Sequence, residues 1–176
     1  MSELNNKQPA QEQELSEILQ IRRDKLAGLQ QEGRDPFQQT KFVRTAWSEE
    51  IKDNYSQFEG KTVSVCGRMM SKRGMGKAIF CHIQDGRGQI QLYVRSDAVS
   101  QQEFADFRKY DIGDIVGVSG YVFKTKTEEI SVHVQSVVLL SKSLRPLPEK
   151  FHGMTNTELK YRQRYVDLIV NEYRRR

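Results

Sequence analysis

Residues 62–94 read TVSVCGRMMSKRGMGKAIFCHIQDGRGQIQLYV, three strand-like runs separated by glycine-rich turns. Taken with period two, the second run places Ile79, Cys81 and Ile83 on one face and Phe80 and His82 on the other. In the third run Ile90, Leu92 and Val94 point one way, and Gln89, Gln91, Tyr93 and Arg95 the other. The first set makes a dry core. The second carries aromatics, amides and cations, which stack on bases and pair with their edges. One outward Phe would be compatible with a simple helix cover, because strands favour aromatics. The set says more. The Asp85-Gly86-Arg87-Gly88 turn makes the second and third runs neighbours. Phe80 and His82 then adjoin Gln91 and Tyr93, with Arg68 and Arg73 nearby, a grouping that points to nucleic acid.

Downstream, Ser100 and Glu103 form a capping box for a short helix ending about Tyr110, with Phe104 and Phe107 packed on the sheet. A turn over 111–114 leads to a fourth strand over 115–123 and the Lys124-Thr125-Lys126-Thr127 loop. A fifth strand is expected from near Glu129, with Ile130, Val132 and Val134 inward and Glu129, Ser131 and His133 outward. Three strands, a helix and two strands follow the order of an oligonucleotide-binding (OB) fold, a five-stranded barrel. The expected class is mainly β, with an N-terminal helical extension and a C-terminal linker helix. Such barrels bind oligonucleotides on strands 2 and 3, bordered by the loops after strands 1 and 4. Here those loops are 71–76 and 124–127, and both are basic.

Upstream, residues 1–13 are expected to be disordered and 14–59 to form a helical extension. A stripe of Leu15, Ile18, Leu19, Leu26 and Leu29 predicts a helix over 14–32, stopped by Gly33 and Asp35-Pro36. Its Arg22-Arg23-Asp24-Lys25 run reads either as a backbone-touching basic patch or as a solvated face. Residues 34–47 look extended, and Ser48 is expected to open a short helix. The barrel occupies 60–141. Residues 142–176 read as a linker, stiffened by Pro146 and Pro148, and then a helix opened by Thr155 with Glu158. The apolar residues of that helix surround more of it than one barrel contact requires, so a larger body is expected to be missing.

At 176 residues the chain has room for one ordinary domain plus an extension. Its 28 basic against 23 acidic residues leave only a mild positive balance, so any nucleic-acid contact must rest on a local patch. The polar start and the lack of long apolar runs predict no membrane span and a cytoplasmic location. Cys66 should face outward and Cys81 inward, which predicts two reduced thiols. No metal site is predicted, because the three histidines have no ligand spacing with either cysteine. Gly74-Met75-Gly76-Lys77 is no phosphate loop: Ser71 stands in place of its first Gly, and Ala78 in place of its Ser/Thr. No Ser/His/Asp or paired-carboxylate arrangement is suggested either. Binding rather than catalysis is expected.

Residues 145–171, RPLPEKFHGMTNTELKYRQRYVDLIVN, closely resemble the linker between the anticodon-binding and catalytic domains of bacterial-type class II lysyl-tRNA synthetases. Residues 67–94 and DIGDIVGVSGYVFKTKTEEISVHV, 111–134, look like their OB-fold. IRRDKLAGLQQEG and TAWSEEIKDNY are similar to their N-terminal region. The resemblance implies an anticodon-binding domain truncated before the catalytic domain, whose partner is lysine tRNA and whose full-length parent is a homodimer. ATP and Mg2+ would act in that missing domain, where the parent attaches lysine to tRNA; this stretch would need no cofactor. By resemblance Phe80 is the stacking aromatic, Gln91 the uridine-reading amide, Arg73 an anticodon contact and Glu129 the acidic base reader. His82, Tyr93, Arg68 and Lys124 are secondary candidates. His82 and Gly74 depart from the family pattern. A surface ion pair is the other reading of Glu129 and Arg73. A freestanding, sequence-tolerant single-strand-binding OB protein is the alternative function.

Overall fold

The computed structural model describes residues 8–148 and 157–170. Helix α1 (Gln8–Gln31) begins six residues before the expected start, so 8–13 are helical. Gln, Ala and Glu are good helix formers, and Pro9 falls in the first turn, where its missing N–H costs nothing. Two short helices, α2 (Ser48–Asp53) and α3 (Tyr55–Phe58), precede the sheet. Ser48 opens α2 as expected. Trp47 holds the N-cap position, its N–H donating to Glu50, while the Ser48 hydroxyl and N–H both donate to Asp85.

Strands β1 (Thr62–Met75), β2 (Ala78–Gln84) and β3 (Gln89–Arg95) form a meander. Helix α4 (Gln101–Lys109) carries the expected Ser100–Glu103 capping box. Strands β4 (Ile115–Lys124) and β5 (Ile130–Ser141) then close a barrel in the order β1-β2-β3-β5-β4. Every pairing is antiparallel except β3 with β5, which spans three residue pairs. The close approach of β4 to β5 needs Gly120, where a Cβ would fall 2.1 Å from the His133 carbonyl oxygen.

The inward alternation holds. Val65, Met69, Cys81, Ile90, Leu92, Val94, Val116, Val122, Val132, Val134 and Phe107 are fully buried. Each such side chain contributes about 1.5–3 kcal/mol. Both thiols are free; burial pushes Cys66 up and Cys81 up to about 12, so neither is a thiolate at neutral pH. The linker helix is two segments, α5 (Thr157–Arg162) and α6 (Arg164–Val170). Its expected capping residue Thr155 lies outside the described residues, as do 1–7.

Within the basic run of α1, Arg23 and Asp24 are exposed as a solvated face would be, whereas Arg22 and Lys25 serve the fold. Arg22 is buried and donates to the carbonyls of Ser143, Arg145 and Ile112 at 2.9, 3.1 and 3.2 Å. Lys25 pairs with Asp111 at 2.7 Å. Beside them, buried Lys142 reaches Asp111 at 2.5 Å and Asp114, itself fully buried, at 2.9 Å. These cations fasten α1 and the linker to the turn before β4. Burial alone would raise the Asp111 carboxyl, but hydrogen bonds from Lys142 and Lys25 outweigh it and hold the group below its usual range. A group depressed in the folded state contributes stability above its unfolded pKa, about 3.9, and loses it as pH falls further. Lys142→Met leaves Asp114 buried without its cation, which should cost about 3–5 kcal/mol. Thermal unfolding at neutral pH measures this, and an unchanged Tm would contradict the clamp.

Candidate nucleic-acid interface

The interface begins with an irregularity in β1. Strict alternation from Val63, Val65 and Met69 would turn Ser71 and Arg73 inward. The register slips by one residue between Met69 and Ser71, so Ser71 pairs with His82 and Arg73 with Phe80. A bulge of this kind re-aims every side chain beyond it. Ser71 to Met75, expected as a loop, therefore continue the strand, and the turn shrinks to Gly76-Lys77. Gly76 has φ +59°, a value glycine adopts without strain. Lys72, counted with the basic loop, points the other way. It donates to the carbonyls of Phe107, Arg108 and Tyr110 at the C-terminal end of α4, where a cation suits the exposed carbonyls.

Cross-strand pairing then lines up rings. Phe80 pairs with Tyr93, Tyr93 with His133 and His133 with Tyr121, so one outward row crosses four strands. Phe80 and Tyr93 stack at 4.8 Å between centroids, and Tyr121 and His133 at 4.8 Å and 7°. Burial lowers the His133 pKa, with the nearby Arg95 acting in the same direction. Phe123, which the sequence reading overlooked, sits diagonally, 5.8 Å from Tyr93. Its signal was available in the β4 register, since Phe123 pairs with outward Ser131.

Beside this row lies an open cavity of about 720 Å3, lined by Arg73, Phe80, Gln91, Tyr93, Phe123, Lys124 and Glu129, with Thr125, Lys126 and Thr127. Six of the eight residues expected at the site meet there. Arg68 does not. It pairs with Gln84 rather than Phe80, and its guanidinium donates to the Gly113 carbonyl at 2.7 Å. It is half-buried, and burial lowers its pKa. His82 does not line the cavity either. It stands on the same face and binds Glu129, Nε2 to Oε1, at 2.8 Å. The Glu129–Arg73 ion pair is not formed: Glu129 takes His82, and Arg73 has no polar partner among the described residues. Lys124 lies over the Tyr55 ring at 5.1 Å.

The polar groups have fixed senses. The Ser131 hydroxyl donates its single hydrogen to the Glu129 carbonyl at 3.1 Å, so it must accept from Gln91 Nε2, at 2.9 Å. Gln91, only 3% exposed, is thereby held with its amide nitrogen toward Ser131. Its Oε1 is left as an acceptor. Glu129 follows a loop closed on itself: the Thr125 N–H donates to the Glu129 carbonyl, and the Glu129 N–H donates to the Thr125 hydroxyl. The Ser71 hydroxyl meets His82 Nδ1 at 3.0 Å, giving a Ser–His–Glu chain that sequence spacing did not suggest. Among the described residues no cluster of three His, Cys, Asp or Glu could hold a metal.

A closed five-stranded barrel with an aromatic row, a cationic rim and fixed acceptors is an OB-fold built for nucleic acid. Residues 63–140 match the tRNA anti-codon family, described as an OB-fold nucleic acid binding domain. The chain is also 52% identical over 162 residues to a lysine–tRNA ligase of Clostridium tetani, covering 92% of this chain and 32% of the relative. A lysine–tRNA ligase of Pelotomaculum thermopropionicum is 54% identical over 160 residues, 91% of this chain and 31% of the relative. One from Clostridium botulinum is 50% identical over 172 residues, 98% and 34% respectively. The chain thus spans about a third of the length of these relatives.

Phe80→Ala should weaken binding of a uridine-rich single strand roughly five- to 150-fold, the loss of one base–aromatic stack of about 1–3 kcal/mol. Its ring lies outside the core, so the unfolding transition should stay cooperative. Unchanged RNA affinity with a collapsed Tm would place Phe80 in the core instead.

Proposed function

We propose that the chain binds the anticodon loop of lysine tRNA and reads its uridines, as the anticodon-binding part of a lysine–tRNA ligase. One observation carries the reading: a ring, two fixed acceptors and an uncommitted guanidinium converge on a single cavity. Uracil offers an N3–H donor between two carbonyl acceptors. The Gln91 Oε1 and the Glu129 carboxylate each suit that N3–H, and Arg73 suits O2 or O4. Phe80 supplies the stacking face whatever the base. Cytosine reverses the pattern, because its N3 lone pair would face the Glu129 carboxylate and its amino group would face Arg73.

The names of the relatives support the wider assignment. The complete activity would attach lysine to tRNA with ATP and Mg2+, on a catalytic domain that this stretch does not supply, in a homodimer of the cytoplasm. Among the described residues no helix is long and apolar enough to cross a membrane. The chain itself binds and does not catalyse.

The test is a four-way titration of the wild-type chain and Glu129→Gln, each with a hairpin carrying U or C at one anticodon position. A hydrogen bond to a charged group is worth about 1.5–3 kcal/mol, so the wild type should prefer U by roughly tenfold or more. Glu129→Gln should bind and relax the preference, because its amide can turn to donate to cytosine N3. Equal wild-type affinities for U and C would favour the sequence-tolerant single-strand binder. Affinity should also fall steeply with salt, since Arg73, Lys124 and Lys126 meet phosphates at the rim.

A further inference from the structure

We propose that His82, supported by Ser71, is a positioning residue that holds the Glu129 carboxylate in one orientation at the cavity and so sets base choice. The inference rests on the base-reading role of Glu129 given above. It explains three things together: why the carboxylate is held by an imidazole, why that imidazole stands outside the cavity, and why a serine stands behind it.

The chain of bonds has one consistent polarity. An ionised carboxylate only accepts, so His82 Nε2 must carry the hydrogen it gives Glu129 Oε1. In the neutral ring Nδ1 is then a lone pair, and the Ser71 hydroxyl must donate to it. The carboxylate sets the tautomer, and Ser71 holds the ring in place, much as outer partners orient the ligands of a metal. Glu129 is left with Oε2 for the base, and that oxygen has no hydrogen to give. It accepts from an imino N–H and repels a ring nitrogen lone pair. A free glutamate on a surface loop would sample many rotamers and lose that discrimination on ordering.

Ser71, His82 and Glu129 also resemble a hydrolytic triad, but the geometry points to support rather than catalysis. Neither Ser71 nor His82 lines the cavity; Glu129 alone of the three does. Ser71 sits inside a paired strand, directly opposite His82. The only member that reaches the cavity is the one that cannot act as nucleophile through the other two.

The test combines spectroscopy with the hairpins carrying U or C. Long-range 15N–1H spectra of the free chain should show His82 as the Nε2–H tautomer, with Glu129→Gln admitting the other form. An Nδ1–H tautomer in the wild type overturns the proposal whatever the RNA does. In binding, His82→Leu should cut the U preference to a few-fold at most, mainly by weakening the U hairpin. His82→Gln, which can still donate to Glu129, should restore part of it. In a Glu129→Gln background His82→Leu should leave the U/C ratio unchanged. Full preference retained in both His82→Leu and Ser71→Ala, with Glu129→Gln relaxed, overturns the role of His82 and leaves the base-reading function standing. No preference in the wild type removes both.

Discussion

The interface depends on one slipped register. Between Met69 and Ser71 the first strand carries an extra residue against its partner, and every side chain beyond changes face. Without the slip, Arg73 would point into a core of Val, Ile and Leu, and Ser71 would never meet His82. With it, a cation, a ring and a hydroxyl–imidazole pair rise on the surface where the third and fifth strands bring Gln91, Tyr93 and Glu129. The bulge costs one unpaired position in the ladder and gathers these side chains on one face.

Around that face, polarity is decided before any ligand arrives. Two serines take part. Ser131 has a single hydrogen, gives it to a backbone carbonyl, and so dictates which end of the Gln91 amide looks outward. Ser71 buttresses the His82 ring, whose sense is set by the Glu129 carboxylate it meets. Groups held in one orientation lose little freedom on binding, which is how a small site achieves selectivity without a large buried area.

Much of this was legible in the amino acids. Period two separated the core residues of the second and third strands from the exposed ones, the Asp85 turn joined those strands, and the Ser100–Glu103 box located the helix between strands three and four. The order of elements then implied the barrel. What was not legible depends on contacts far apart in sequence. A bulge leaves no mark in local composition, so 71–76 read as a loop and Lys72 as part of its charge. Arg22 looked like a surface cation because the carbonyls it serves lie 90 or more residues away. Arg68 shares a strand face with the site residues but lies before the slip, beside Gln84, and turns to Gly113. The Ser–His–Glu chain unites residues 71, 82 and 129, a spacing no short motif covers.

If RNA binds on the face built by the bulge, backbone amide mapping will locate it there. A 15N-labelled chain is titrated with a uridine-bearing anticodon hairpin, and shifted amides are placed on the barrel. Changes concentrated at Arg73, Phe80, Gln91, Tyr93, Phe123 and the 124–129 loop, with α1 and Arg68 unmoved, are expected. Changes centred on α1 and the turn before β4, with the aromatic row unmoved, would contradict binding on that face.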